Sequence, residues 1–269
     1  EEALSKCMEK YGGFDHNIQT LRIVTLIENR YYKFYGLNLT VETLDGLIKH
    51  NGPVLNKIYE YKKILKQNLL KDVIAFNSYP SLEAQVAAIS DDIAYNNHDL
   101  EDGLRAGLFT IKKFSSIPAI SKLINKHLQN IKKFRREIII SQIVRDLINL
   151  MVVDVIKTTN INLKKINPQS INNIYNHNGL IVDFSDKMKK IDKQIKDFLY
   201  RNMYNHSKVI VNTNKGKKIV NDLFTYMLKN PKKYINRSLF KNEDDERIIA
   251  DFIAGMTDRY AINLHKKIK

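Results

Sequence analysis

The feature that most constrains this chain is the period of its apolar residues, which is helical almost from end to end. In "HNIQTLRIVTLIENR" Ile18, Leu21, Val24 (or Thr25) and Ile27 (or Glu28) recur at three-to-four spacing, which gathers side chains on one face of an α-helix. No segment alternates apolar and polar residues long enough to make a convincing strand. The nearest approach is "KVIV" at Lys208–Val211. A chain of this kind buries its stripes only by packing helix on helix. The expectation is therefore an all-α fold, one domain over residues 1–269, with no internal repeat and no heptad seam.

Local signals divide the pattern into helices. Thr40 can cap "VETLDGLIKHNG", which Gly52-Pro53 ends. Ser78-Tyr79-Pro80 introduces a long Ala-rich helix from Ser81 to about Phe109, with Val86, Ile89, Ile93, Leu100 and Leu104 as its apolar stripe. Further helices are expected from Pro118 to Gln129 and from Phe134 to Thr158. "NINLKKINPQSINNIYNHNG" reads as a polar connecting loop. Ser185 can cap a helix reaching Asn205, and "EDDERIIADFIAGMTDRYAINLHKK" places acids first and bases last, as the helix dipole prefers.

Composition narrows the function classes. No apolar run approaches the eighteen or so residues of a membrane span, so no membrane partner is expected. A single cysteine, Cys7, excludes an internal disulfide framework and fits a reducing, cytoplasmic setting. The formal charge of +15 is spread over loops and helices alike. It suits polyphosphates as well as nucleic acid. Glu1 opens directly into helix-like sequence with neither an initiator Met nor a signal segment, as expected of a chain cut from something longer.

The candidate chemistry centres on "SDDIAYNNHDLEDG". Asp91, Tyr95, Asp99 and Asp102 follow at steps of four, four and three, which keeps them on one side of a helix. Spacing alone fits either a solvated polar face or the wall of a pocket. Asp91 offers one metal ligand, but no His-x-x-His cluster completes a site. Tyr95 can pack on a sugar and Asp99 can accept a bond from a sugar hydroxyl. His98 precedes Asp99 but points about 100° away, so the pair is no metal-binding dipeptide. In "GGFDHN", His16 opens a helix, where the dipole favours neutral imidazole and a docked anion. Lys49 and His50 close another. Gly12-Gly13 lacks the Lys-Ser/Thr of a phosphate loop, and Cys7 reads as a packing residue.

Five blocks now carry a resemblance: "GGFDHNIQTLRIV", "GLNLTVETLDGLIKHNGP", "PSLEAQVAAISDDIAYNNHDLEDGLRAGLF", "FLYRNMYNH" and "IIADFIAGMTDRYAI". In unbroken order they resemble the bacterial deoxyguanosine triphosphate triphosphohydrolase-like proteins, dNTP triphosphohydrolases of the HD-domain superfamily. The resemblance implies an HD-type helical bundle around a divalent metal (Mg, Mn or a transition metal) held by a His, a His-Asp dipeptide and a later Asp. That later Asp matches Asp91, and the sugar-facing pair matches Tyr95 and Asp99. Lys49 matches a phosphate contact, His16 a second catalytic His, and Glu1 the acidic partner of a catalytic His. Asn17 and Arg22 belong to a block that contacts substrate.

The remaining metal ligands would lie upstream of Glu1, so residues 1–269 alone are expected to be inactive. The implied reaction is dNTP plus water giving deoxynucleoside and inorganic triphosphate, in a homo-oligomer. Two alternatives stand beside it. One is a regulatory homologue that binds nucleotide or single-stranded nucleic acid without turnover, and the other is a nucleic-acid-directed HD phosphohydrolase.

Overall fold

The computed structural model describes residues 1–66, 73–129, 132–235 and 243–268. Its helices are α1 Glu2–Cys7, α2 His16–Arg22, α3 Val41–Lys49, α4 Ile58–Lys66, α5 Leu82–Arg105, α6 Ile111–Phe114 and α7 Pro118–Leu128. They continue with α8 Arg136–Ile166, α9 Ile171–Tyr175, α10 Asp186–Leu199, α11 Ser207–Lys229, α12 Pro231–Tyr234, α13 Asp245–Ala254 and α14 Asp258–Ile268. π turns extend α2 over Ile23–Ile27 and α10 over Tyr200–Tyr204. Among the described residues the only β feature is an isolated bridge between Asn29 and Gly36. The fold is all-α.

The chain forms two compact units. One holds Thr40–Tyr59 and Leu69–Val209, the other Glu1–Leu39, Glu60–Asn68 and Ile210–Lys269. In the first, α5 lies along α8, with α3 and α10 also on α5 and α7 on α8. Leu100, Leu104, Phe114, Ile143, Leu147, Met151 and Leu199 pack into one continuous core. Each such side chain stabilises the fold by about 1.5–3 kcal/mol relative to exposure. The second unit packs Leu4, Met8, Leu223, Phe224, Met227 and Ile249 together, and His265 Nε2 on α14 meets Asp222 Oδ2 of α11 at 2.7 Å.

Two residues fix α5, the helix that carries the acidic column. Ser81 Oγ accepts the N–H of Ala84, capping the first turn. Gln85, 2% exposed, donates to Pro80 O at 2.9 Å. Its Oε1 accepts the N–H groups of Ile181 and Val182 at 2.8 and 3.0 Å. At the other end a Cβ on Gly103 would lie 2.7 Å from Phe109 Cζ, so only glycine admits that ring.

Several expectations are corrected. Val86 is 49% exposed, because the first turns of α5 are held from the opposite face by α3, where Gly46 abuts Ala84. The Asn-rich stretch is largely helical. In it α8 continues to Ile166, ends on Asn167 in the left-handed region, and is tied by Asn162 Nδ2 to Ile181 O at 2.9 Å. Ser170 and Asn173 then form a capping box for α9. "KVIV" lies inside α11, since a short β-branched run does not separate strand from helix. The last helical stretch is broken at Gly255 into α13 and α14.

Candidate functional site

Asp91, Tyr95 and Asp99 occupy successive turns of α5. Asp91 is exposed, Tyr95 is 59% exposed and Asp99 is half-buried. Asp91 lines two hollows, of about 630 and 370 Å³, which share it with His50 and Ala88. The larger is floored by small side chains at Gly46, Ala84 and Ala87. The smaller carries Asp92, Asp183, Asp192 and Lys189. His50 Nδ1 donates to Leu47 O at 2.8 Å, which leaves Nε2 the acceptor nitrogen.

Two turns beyond Asp91, Asp99 accepts a hydrogen bond from the phenol of Tyr204. Burial and that bond push the Tyr204 phenol well above its ordinary range, and a bond with Tyr95 adds to the shift. Tyr95, Asp99 and Tyr204 therefore form one cluster. Tyr204 received no role from sequence. It sits 105 residues away on the π turn after α10, and such turns recur at functional sites. The only sequence signal was its place in "FLYRNMYNH".

The donors near Asp91 do not fit a metal. Among the described residues no group of three or more His, Cys, Asp or Glu is placed to share an ion. A lone carboxylate competes poorly with water for a divalent cation.

A second set of predicted residues lies on α2. Asp15 Oδ1 accepts the N–H groups of Asn17 and Ile18 at 2.9 and 3.1 Å, capping the helix so that His16 is its first residue. Glu1 Oε1 accepts the His16 backbone N–H at 3.2 Å and lies 2.9 Å from its Nδ1. These bonds, the side-chain one foremost, hold the Glu1 carboxyl below its usual range. With Nδ1–H donating to the carboxylate, Nε2 is left as the basic nitrogen on an exposed ring. The resemblance gives Glu1 an upstream His as partner. Here its carboxylate is engaged by His16. Asn17 contributes its backbone N–H to the cap and is itself half-buried.

Arg22 and Lys49 are built into the protein rather than laid open. Arg22 is 4% exposed. It donates Nε to Asp251 Oδ1 at 3.0 Å, Nη2 to Oδ2 at 2.5 Å and Nη1 to Glu243 at 3.3 Å. Lys49 is 1% exposed. Its ammonium reaches Asp45 and Ser78 Oγ at 2.7 Å and the carbonyls of Ala75 and Tyr79 at 3.3 and 3.4 Å, with the Tyr175 ring centre 5.5 Å away. An ammonium has three N–H donors, so a phosphate at Lys49 would displace one of these acceptors. Burial pushes the Asp45 carboxyl up, opposed by Lys49. Of the predicted residues, Lys49, Asp91, Tyr95 and Asp99 belong to one unit and Glu1, His16, Asn17 and Arg22 to the other.

Comparison with known proteins places this geometry in context. Residues 182–267 match the phosphohydrolase-associated domain, a family model of the HD group. The whole chain is 51% identical over 269 residues to a deoxyguanosinetriphosphate triphosphohydrolase-like protein of Pelagibacter ubique (strain HTCC1062) and covers 72% of it. Proteins of the same description from Bartonella tribocorum (41% over 277 residues) and Brucella ovis (39% over 281) are also matched by the whole chain, which covers 69% of each.

Proposed function

Because this chain belongs to the deoxyguanosinetriphosphate triphosphohydrolase-like family, we propose that it carries the sugar-recognising part of an enzyme hydrolysing deoxynucleoside triphosphates. The observation that supports this reading most is the Tyr95–Asp99–Tyr204 cluster on and beside α5. Tyr95 presents an exposed ring against which a deoxyribose packs, leaving little room for a 2′-hydroxyl. Asp99 anchors the 3′-hydroxyl through a bond to a charged acceptor, worth about 1.5–3 kcal/mol. Tyr204 holds that carboxylate in place.

In the reaction, water attacks the α-phosphorus and the bond from phosphorus to the 5′ oxygen breaks. The 5′ oxygen takes up a proton, which yields a deoxynucleoside and inorganic triphosphate. The Glu1–His16 pair has the form of an oriented acid–base group for such a proton transfer. Asp91 would be the ligand that the described residues contribute to the divalent-metal centre the resemblance implies. Among the described residues no group of three or more His, Cys, Asp or Glu completes that centre. Lys49 secures the Ala75–Tyr79 segment ahead of α5.

Steady-state rates with dGTP and GTP test the assignment, using the full-length protein with added Mg²⁺ or Mn²⁺. Asp99→Ala is expected to lower kcat/KM for dGTP by about ten- to a hundredfold and to narrow the preference over GTP. Tyr204→Phe removes the phenol that orients the carboxylate and is expected to weaken the same preference. An Asp99→Ala enzyme with wild-type rate and sugar selectivity refutes the reading.

A further inference from the structure

Two segments make the Glu1–His16 pair, and both must be held for it to form. Glu1 stands immediately before α1 and His16 opens α2. α1 is anchored several times over. Leu4 and Met8 lie in the core of their unit, Lys217 Nζ reaches Glu2 Oε2 at 2.6 Å, and Cys7 Sγ donates to Asn221 Oδ1 at 3.2 Å. The turn between α1 and His16 is looser by construction. Gly12 and Gly13 stand in succession at φ +87° and +75°, and glycine is the residue with most freedom to leave such a conformation. The N–H groups of Tyr11 and Gly13 run back to Met8 O, both at 2.8 Å. Phe14 adds apolar contact with the core, which is non-directional.

A side chain from far along the chain fastens the rest of that turn. Arg247, on α13, donates from Nη2 to Gly13 O at 2.6 Å, 234 residues away. The guanidinium is uncomfortable where it stands. Arg247 is half-buried, and burial, then the nearby Arg22 charge, lowers it from the ordinary range; Asp251, Glu243 and Asp244 offset only part of this. Two of those acids are already bound by Arg22. Among the described residues the one hydrogen bond of the Arg247 guanidinium is to Gly13 O. A cation is thus kept partly out of water, beside a like charge, on a single glycine carbonyl. An arginine left in water carries no such penalty.

From this arrangement we infer that Arg247 is the positioning residue of the Glu1–His16 pair. By holding Gly13 O it fixes the turn from which Asp15 caps α2 and His16 meets Glu1. The role rests on the acid–base reading of that pair. The lever is short, because Asp15, whose carboxylate accepts the N–H groups of Asn17 and Ile18, lies between Gly13 and His16. The pair cannot hold itself. Its side chains are 61% and 49% exposed, and exposed pairs contribute little, whereas a hydrogen bond from a charged donor is among the strong ones. With Gly13 O released, the two glycines sample other conformations and His16 Nδ1 loses its fixed approach to Glu1 Oε1, 2.9 Å away.

Two variants of the full-length protein remove this bond from opposite ends. Arg247→Met keeps much of the apolar stem and removes the donor. Gly13→Ala has room for its methyl, since nothing lies within 4 Å of a Cβ there, but strains the backbone at φ +75° and turns the carbonyl away. ¹⁵N NMR of the His16 ring in alkaline buffer, where imidazole is neutral, reads the pair directly. The wild type should carry its proton on Nδ1, as donation to Glu1 requires. Both variants should lose that preference and match Glu1→Ala. Arg247→Lys should keep it, because one carbonyl needs one cationic donor rather than a fork. With dGTP and added Mg²⁺ or Mn²⁺, Arg247→Met and Gly13→Ala should each lower kcat by about ten- to a hundredfold, with KM within about twofold of the wild type. Their effects should not add in the double variant, since both break one bond.

Thermal unfolding identifies a variant that fails to fold, and the other then carries the test. The wild-type tautomer in folded Arg247→Met overturns the proposal. So does a raised KM with unchanged kcat, which would make Arg247 a substrate contact. If the wild type releases no triphosphate, the hydrolase reading fails by itself. Loss of the Nδ1 preference in Arg247→Met then still supports the positioning role, and its retention overturns it.

Discussion

Replacing Arg22 with Met separates a structural clamp from a substrate contact. The guanidinium makes a two-pronged bond to Asp251 and a third to Glu243. The side chains of Arg22 and Asp251 are only 5% and 4% exposed. Burial opposes the charge on Arg22, but the Asp251 bond outweighs it and raises the guanidinium above its ordinary range. Arg22→Met keeps much of the apolar stem and strands two carboxylates. Breaking a buried pair from one side costs about 3–5 kcal/mol. For 269 residues, an unfolding entropy of about 2.1 cal/mol/K per residue turns this into a fall in Tm of about 5–9 °C in a single transition. Arg22→Met combined with Asp251→Leu should recover part of the loss, because a well-packed apolar pair needs no compensating charge. Thermal and urea unfolding of the single and double variants measure both quantities. A variant with wild-type Tm but a raised KM for dGTP would refute the clamp and make Arg22 a substrate contact.

Three further outcomes are expected. Gly103→Ala forces the Phe109 ring out of its edge-on contact with Phe198, 5.0 Å between centres, and should cost about 1–3 kcal/mol in urea unfolding; an unchanged midpoint would show that the helix end yields freely. The Glu1 carboxyl titrates below its usual 4.5, so its small stabilising bond to His16 is complete above that pH and lost as pH falls through the lowered value. NMR of the His16 imidazole should show this transition in the wild type and not in Glu1→Gln, and identical titrations would contradict the pairing. Calorimetric titration of residues 1–269 with Mn²⁺ should show no tight site, because one carboxylate is the only ligand assigned on this chain; a tight site abolished by Asp91→Ala would overturn the ligand assignment.

Much of the fold was legible because its signals are local. Thr40, Ser81 and Ser185 each accept the N–H three residues on, as their position ahead of an apolar period implies. The helix of α8 through Thr158–Ile166 was hidden because it is held from a distance, by Asn162 on Ile181 O. Polar asparagines there obey packing over propensity. The acidic column was legible as a face, since four-residue steps fix azimuth, but spacing left its function open. Its chemistry came from the family resemblance. What sequence withheld was partnership: Tyr204 for Asp99, His16 for Glu1, and Asp251, 229 residues along, for Arg22. Lys49 shows the same limit. A basic helix end looks free in sequence, while in the fold its ammonium is enclosed by Asp45, Ser78 and two carbonyls.

The most direct test of the central claim is the identity of the phosphate product. Phosphorus-31 NMR can follow the full-length protein acting on dGTP in ¹⁸O-enriched water with added Mg²⁺ or Mn²⁺. The account predicts inorganic triphosphate as the primary product, with one ¹⁸O on a terminal phosphorus, unlabelled deoxyguanosine, and loss of the reaction in Asp91→Ala. Primary release of orthophosphate or pyrophosphate, or an unaltered rate in Asp91→Ala, would contradict it.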